Sequence, residues 1–296
     1  MEKNLSRCLF LQKSVSAGFG LAIMNHFSAF SNPSFSGMRL GVVTYQWGKD
    51  WDLPTLISNC VKSGLTGVEL RTQHAHGVET NLSSSQRADV KKRFNDSSVT
   101  CIGYGSNFEY HNPDQKILRE NIEQTKEYIK LCKDIGASGL KVKPNNLPTG
   151  IHREKTIAQI AASLNEVGKY AQDYGQLIRV EAHGTLTQEL PNMKAIFDQV
   201  TEPNVKICWN SNDPDLLQAG LEENFKMVKK WIGDTVHVRG FMISNYPYQQ
   251  LINLLAGINY NGWVLIEATT EPSDIIAAMK EQLTLFNQLI ANIKSV

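Results

Sequence analysis

The chain has no pair of cysteines two residues apart: its five, Cys8, Cys60, Cys101, Cys132 and Cys208, are scattered over 296 residues. That spacing excludes a zinc knuckle and a disulfide framework. Cys101 and Cys208 instead sit inside apolar, strand-like runs, as small buried hydrophobes do. There is almost no net charge, 30 Lys+Arg against 29 Asp+Glu for a formal +1, so no global field draws the chain to nucleic acid or to acidic membranes. No run approaches the ~20 apolar residues that a membrane span needs. A GxxxxGK[ST] motif is missing too, as is any glycine-rich turn opening a helix to cradle phosphate. What is present is an ordinary globular composition, 42% hydrophobic, long enough to bury one large core.

Residues 1–37 differ in texture from the rest. The stretch KNLSRCLFLQKS is followed by the moderately apolar VSAGFGLAIM. A Ser/Asn/Pro-rich stretch comes next, in which Ala29-Phe30-Ser31 forms an A-x-S cleavage pattern. The segment reads as an export leader and linker, and the expected compartment is therefore periplasmic or otherwise exported. It resembles a twin-arginine signal through Ser6, Arg7, Phe10, Leu11 and Lys13, with Cys8 where the second arginine stands. A loose N-terminal extension of a cytoplasmic protein is the alternative.

From Met38 onward, short β-branched runs alternate with longer amphipathic segments. Strands are expected near 39–44, 67–71, 99–104, 138–143, 177–182, 204–209, 235–243 and 263–267. In 113–135, Leu118, Ile122, Thr125, Ile129 and Cys132 recur at spacings of four and three. Segment 153–174 repeats the pattern with Ile157, Ile160, Ala161, Leu164 and Ala171. Asn112-Pro113 and Asn212-Asp213-Pro214 are helix-start signals, and Gly136 and Gly175 are stop signals. Eight strand and helix units without a dividing linker predict an α/β fold, one (β/α)8 TIM barrel over 38–296, close to the typical ~250 residues.

Strand parity separates a site from a core. Val68 and Leu70, Leu140 and Val142, Ile207 and Trp209, and Val264 and Ile266 share the face that meets the helices. The opposite parity carries Glu69 and Arg71, Lys141 and Lys143, Glu181 and His183, Asn210 and Asn212, His237 and Arg239, and Glu267. Polar groups from six strands cannot all be buried ion pairs without a cost of several kcal/mol each when unpaired, so they predict a functional cleft at the C-terminal ends of the strands. Glu181, Asn210, His237 and Glu267 together offer three oxygens and one imidazole, a set that suits Mn²⁺ or Mg²⁺. Such an ion holds neighbouring oxygens of a sugar while a carboxylate moves a proton on carbon.

These residues carry a resemblance. RVEAHG with Glu181, TVHVRG with His237 and VLIEAT with Glu267 resemble, in type and order, the metal ligands of the xylose-isomerase-like barrels. That superfamily contains sugar isomerases and epimerases, inosose dehydratases and endonuclease IV. The resemblance spans 38–296 and implies a carbohydrate isomerase or epimerase working through an enediolate, with Glu181 and Glu267 as ligands and bases. The sequence departs from the family twice: Asn210 stands for the strand-six Asp, and Gly240 ends the strand-seven V-H-x-K-D pattern. Asn210 is read as a weaker ligand; the alternatives are a site without the ion, in which Lys141, Arg71 or His183 stabilises the anion instead, or a non-catalytic sugar binder. Asp213 is either a replacement carboxylate or an N-cap.

Other polar residues extend the expected site. Arg71, His74 and His76 in ELRTQHAHGVE, Glu109 and His111 in NFEYH, Lys143 in KVKPN, and His183 and Asn212 are assigned to substrate contact. Lys141 is assigned to acid catalysis or oxyanion binding, with a structural salt bridge to Glu181 or Glu109 as its alternative. The expected partner is a small free or oxidised sugar or a glycoside. A keto-sugar lyase or hydratase is the alternative chemistry. The balanced charge argues against the nucleic-acid reading that endonuclease IV would imply. The sequence sets no oligomeric state.

Overall fold

The computed structural model describes residues 37–243 and 245–293, so the leader reading of 1–37 lies outside the described residues except for Gly37. Eight parallel strands close into a barrel: β1 Arg39–Val43, β2 Gly67–Arg71, β3 Thr100–Glu109, β4 Gly139–Lys143, β5 Leu177–Glu181, β6 Val205–Asn210, β7 Ile232–Val238 and β8 Trp263–Ile266. Each strand pairs with its neighbours in sequence and β8 pairs back onto β1, in register Leu40 to Val264 and Val42 to Ile266. The helices are α1 Leu53–Ser63, α2 Ser84–Asn95, α3 Gln115–Ile135, α4 Arg153–Gln172, α5 Leu190–Phe197, α6 Gly220–Val228, α7 Tyr248–Gly257 and α8 Ile275–Ala291. No helix among the described residues is long and apolar enough to cross a membrane. The expected single (β/α)8 barrel is the observed fold.

Local chemistry explains the element ends. Asp52 caps α1 by accepting from the Thr55 N–H, with Pro54 at its first turn, and Gly64 closes it in the left-handed region at φ 81°. Gly136 ends α3 in the same way. The outward parity of the strands is buried under the helices, with Val68, Leu70, Leu140, Val142, Trp209 and Ile266 all without exposure. At the N-terminal end of the barrel, Arg179 lies fully buried across the interior, paired with Asp234 at 2.7 Å and bonded to Ser138 Oγ. The residue facing it must be glycine, since a Cβ on Gly103 would lie 2.1 Å from the guanidinium. Trp263, Val43, Ile102 and Leu265 fill the rest of this floor.

Two strand boundaries differ from the sequence reading. β7 begins at Ile232 and ends at Val238, not 235–243. The apolar alternation runs on past Val238 because Phe241 leaves the barrel to pack on Tyr248 and Phe286, with ring centroids 5.3 and 5.9 Å away. β3 continues to Glu109 through a register irregularity beyond Gly105, where Gly-Ser-Asn reads as a turn.

The loop after β6 is held by a buried acid. Asp215 accepts from Tyr246 Oη at 2.6 Å and from the Asn212 N–H at 3.0 Å, leaving Oδ1 without a partner. Burial, opposed by these hydrogen bonds, pushes its carboxyl up to about 7. The sign follows: between the ordinary carboxyl value and 7 the folded chain keeps a proton that the unfolded chain has lost. Stability therefore falls as pH rises from about 4 to 7, by an amount on the order of 4 kcal/mol, and is flat above. Asp215→Asn removes that slope in denaturant titrations at pH 4.5 and 7.5.

Candidate active site

The C-terminal mouth of the barrel holds a cavity of about 230 Å³, lined among others by Tyr45, Arg71, Glu181, Asn210 and Glu267. At its base, ligand atoms of Glu181, His237 and Glu267 all lie within 4.8 Å of one another. Their placement follows from the strands: Glu181 and Asn210 are the last residues of β5 and β6, His237 is the penultimate residue of β7, and Glu267 follows β8. Register Asn210 to His237 and Leu265 to His237 sets them side by side on the interior parity.

His237 is fully buried, and neither ring nitrogen has a hydrogen-bond partner. Its Nδ1 lies 3.7 Å from Glu181 Oε1 and 3.6 Å from Glu267 Oε2, while Nε2 is 3.3 Å from Glu69 Oε1. Both Glu69 oxygens are likewise buried and unpartnered. Burial opposes charge on His237, yet Cys208, Glu69 and Glu181 hold the imidazole well above its usual value. Three carboxylates around one imidazole are matched either by the ring's own second proton or by a bound cation. A divalent ion at Nδ1 fits this donor set: two carboxylates and a neutral imidazole on the ion, with Nε2–H free to donate to Glu69, the outer carboxylate that orients a metal-binding histidine.

Asn210, expected as a weaker ligand, turns its amide nitrogen onto Glu181. Its Nδ2 donates to Glu181 Oε1 at 2.9 Å, and the fully buried Lys141 Nζ donates to Glu181 Oε2. A carboxylate only accepts, so the amide nitrogen must face Glu181, and Asn210 steadies that carboxylate. Burial opposes ionisation of Glu181, but Lys141 and His237 hold it well below the usual carboxylate range. Glu267 behaves alike: burial and Glu181 raise it, while His237 and Lys141 outweigh them and bring it down to about 2. Of the two pairings left open for Lys141, the structure contains the one with Glu181.

Around this base, Arg71 stacks 4.8 Å over the Tyr45 ring, donates to Glu267 Oε1 at 2.8 Å and to Asn107 Oδ1 at 3.0 Å. Lys143 donates to the same Asn107 oxygen at 3.1 Å. Burial and Lys141 lower its ammonium to about 8. His183 lines the cavity and faces Asn145 Oδ1 through Nδ1 at 2.7 Å. Asn145 Nδ2 donates to the acceptor-only Glu109, which fixes the amide and so the tautomer: His183 carries its proton on Nδ1 and leaves Nε2 as an acceptor. The contact is built by a two-residue parallel pairing of 145–146 with 184–185, in which Gly184 has φ 90° and a Cβ would fall 2.0 Å from the Asn145 carbonyl oxygen.

The remaining expected contacts divide. Asn212 lines the cavity, but its amide donates to the Ala182 carbonyl at 2.7 Å. Asp213 is neither a replacement ligand nor the cap; exposed, it accepts from Arg239 at 2.7 Å. His76 is buried, with Nε2 on the Arg71 carbonyl at 2.8 Å and Nδ1 accepting from the Val78 N–H at 3.1 Å, so it braces its loop and has no nitrogen left for a sugar. Burial brings its imidazole down to about 4. His74, half-buried in that loop, does not line the cavity. Glu109 reaches the site only through Asn145, and His111, 3.6 Å from Glu109, lines a neighbouring cavity of about 250 Å³ with Lys155 and Gln159. Sequence reasoning missed Tyr45, Asn107 and Thr269 at the mouth.

Comparison with solved structures returns sugar epimerases on the same fold. L-ribulose 3-epimerase matches with a TM-score of 0.75 at 15% identity, covering 86% of this chain and 95% of that one. The E. coli 3-keto-D-glucoside 4-epimerase matches with a TM-score of 0.71 at 13% identity, over 85% and 99%. The IolI protein, solved with a bound zinc atom, matches with a TM-score of 0.72 at 16% identity, over 88% and 100%. At such identities the likeness is one of fold. The model of the xylose isomerase-like TIM barrel matches residues 57–289, most of the barrel and every residue of the Glu181, His237 and Glu267 cluster, and the chain belongs to that family.

Proposed function

We propose that the protein is a carbohydrate epimerase or isomerase that moves a proton at a carbon next to a carbonyl. The observation that carries the reading is the pair of carboxylates, Glu181 and Glu267, that meet at Nδ1 of the buried His237 at the base of a cavity of about 230 Å³. One carboxylate takes the proton from carbon; the C–H pair forms the enediolate double bond while the carbonyl pair moves to oxygen. The other carboxylate returns a proton to the opposite face for epimerisation, or a proton exchanged with solvent on the carboxylate is delivered to the adjacent carbon for isomerisation. Glu181, His237 and Glu267 would hold a divalent ion, Mn²⁺ or Mg²⁺ by their hardness, which when bound polarises the carbonyl and offsets the enediolate charge. Lys141 and Asn210 keep Glu181 ionised and aligned, and Glu69 orients His237. The likeness in fold to L-ribulose 3-epimerase and 3-keto-D-glucoside 4-epimerase supports the substrate class.

Lys141 on Glu181 also supports a second reading, a keto-sugar lyase or hydratase in which the ammonium protonates a leaving hydroxyl after the same proton abstraction. Incubation with a panel of ketoses and keto-sugars, followed by product mass, separates the two. The proposed activity conserves mass; loss of 18 Da of water, roughly one hydroxyl and one proton, marks elimination. No product from any member with Mn²⁺ or Mg²⁺ present contradicts both. Export of the chain, with residues 1–37 as its leader, remains part of the proposal and is checked by the N-terminus of the mature protein.

A further inference from the structure

Of the four cationic side chains around the cavity, three are ion-paired and one is not. Arg71 is paired with Glu267, Lys141 with Glu181, and Arg239 with Asp213 at the exposed rim. Lys143 is 8% exposed and lines the cavity, yet it forms no ion pair with a described carboxylate; its one hydrogen bond goes to the neutral Asn107 oxygen that Arg71 already uses. Glu181 and Glu267 act on it through space, but each is already ion-paired, to Lys141 and Arg71, so the buried ammonium has no ion-pair partner of its own, which is costly.

We infer that Lys143, with Arg71 beside it, forms a carboxylate subsite, so that the substrate is a sugar acid, an aldonate or uronate or its keto form, and not a neutral sugar. The inference rests on the proposed carbohydrate reading of the cavity and deepens it. A carboxylate supplies the single negative charge that Lys143 lacks and also accepts from Arg71, whose guanidinium is pre-oriented by Tyr45 and Asn107. A phosphate is the poorer fit: the chain has no glycine-rich turn at a helix N-terminus to cradle it.

The test is calorimetric binding of D-glucuronate, D-glucose and malonate to the full chain loaded with Mn²⁺, in the wild type and in Lys143→Gln and Lys143→Met, with thermal melts to establish that each variant folds. Glucuronate binding at least tenfold tighter than glucose, with the preference falling below about threefold in both variants, is the expected result. Glucose bound as tightly as glucuronate, or a preference unchanged in folded variants, overturns the carboxylate subsite and leaves the carbohydrate reading standing. Malonate bound and lost in the variants, with neither sugar bound, keeps the subsite and overturns the carbohydrate reading. Binding of none of the three overturns both.

Discussion

Glu181→Gln and Glu267→Gln each lower turnover by about 10²–10⁴-fold, the range that general acid-base catalysis contributes, while the protein stays folded. Glutamine keeps the shape of each side chain and an oxygen that can still accept from Lys141 or Arg71. What it removes is the negative charge and the ability to hold the migrating proton. The loss falls on kcat and kcat/KM together, because the interaction is made in the transition state. Steady-state kinetics with near-ultraviolet circular dichroism to establish folding check it; either variant with more than about a third of wild-type kcat contradicts the two-base assignment. The structure also expects a difference between them: Glu181 is covered by Lys141 and Asn210, whereas Glu267 meets the solvent-facing cavity beside Arg71.

Lys141→Met destabilises the barrel by about 3–5 kcal/mol, the cost of leaving one member of a buried pair without its partner. Lys141 and Glu181 are 0% and 1% exposed, so no water is at hand to relieve the stranded carboxylate. The double variant Lys141→Met with Glu181→Leu recovers most of that loss, since an apolar pair of similar volume replaces the ion pair. It stays inactive. Urea titration of the single and double variants measures both numbers; a single variant within about 1 kcal/mol of wild type shows that Glu181 does not depend on Lys141 for its charge.

The barrel was legible in the sequence because parallel strands buried under helices are runs of Val, Ile and Leu, and the breaks in those runs carried the site. Glu69, Arg71, Lys141, Glu181 and His237 stand out as charges on one parity of otherwise apolar strands, and the period of two suffices to put them inside. Residues outside that periodicity were not legible. Asn107 sits in a Gly-Ser-Asn stretch that reads as a turn but continues β3 through an irregularity. His74 and His76 look like a pair of substrate contacts in one dimension. The fold instead turns both nitrogens of His76 onto backbone groups of its own loop, a contact set by the loop's course and not by residue type. Asn210 was legible by place but not by contact: that its amide nitrogen braces Glu181, whose other oxygen is taken by Lys141, comes only from the fold. Lys143 was equally visible as an interior lysine. That it forms no ion pair among the described residues could come only from the positions of the carboxylates around it.

The most direct test of the account is solvent hydrogen exchange at carbon. In D₂O, with Mn²⁺ present, the wild-type protein is expected to place deuterium at the carbon next to the carbonyl of its substrate, seen as loss of that proton's NMR signal, and Glu181→Gln and Glu267→Gln abolish the incorporation. Turnover that leaves every carbon-bound proton in place, in the substrate and in the product, contradicts proton transfer by these two carboxylates.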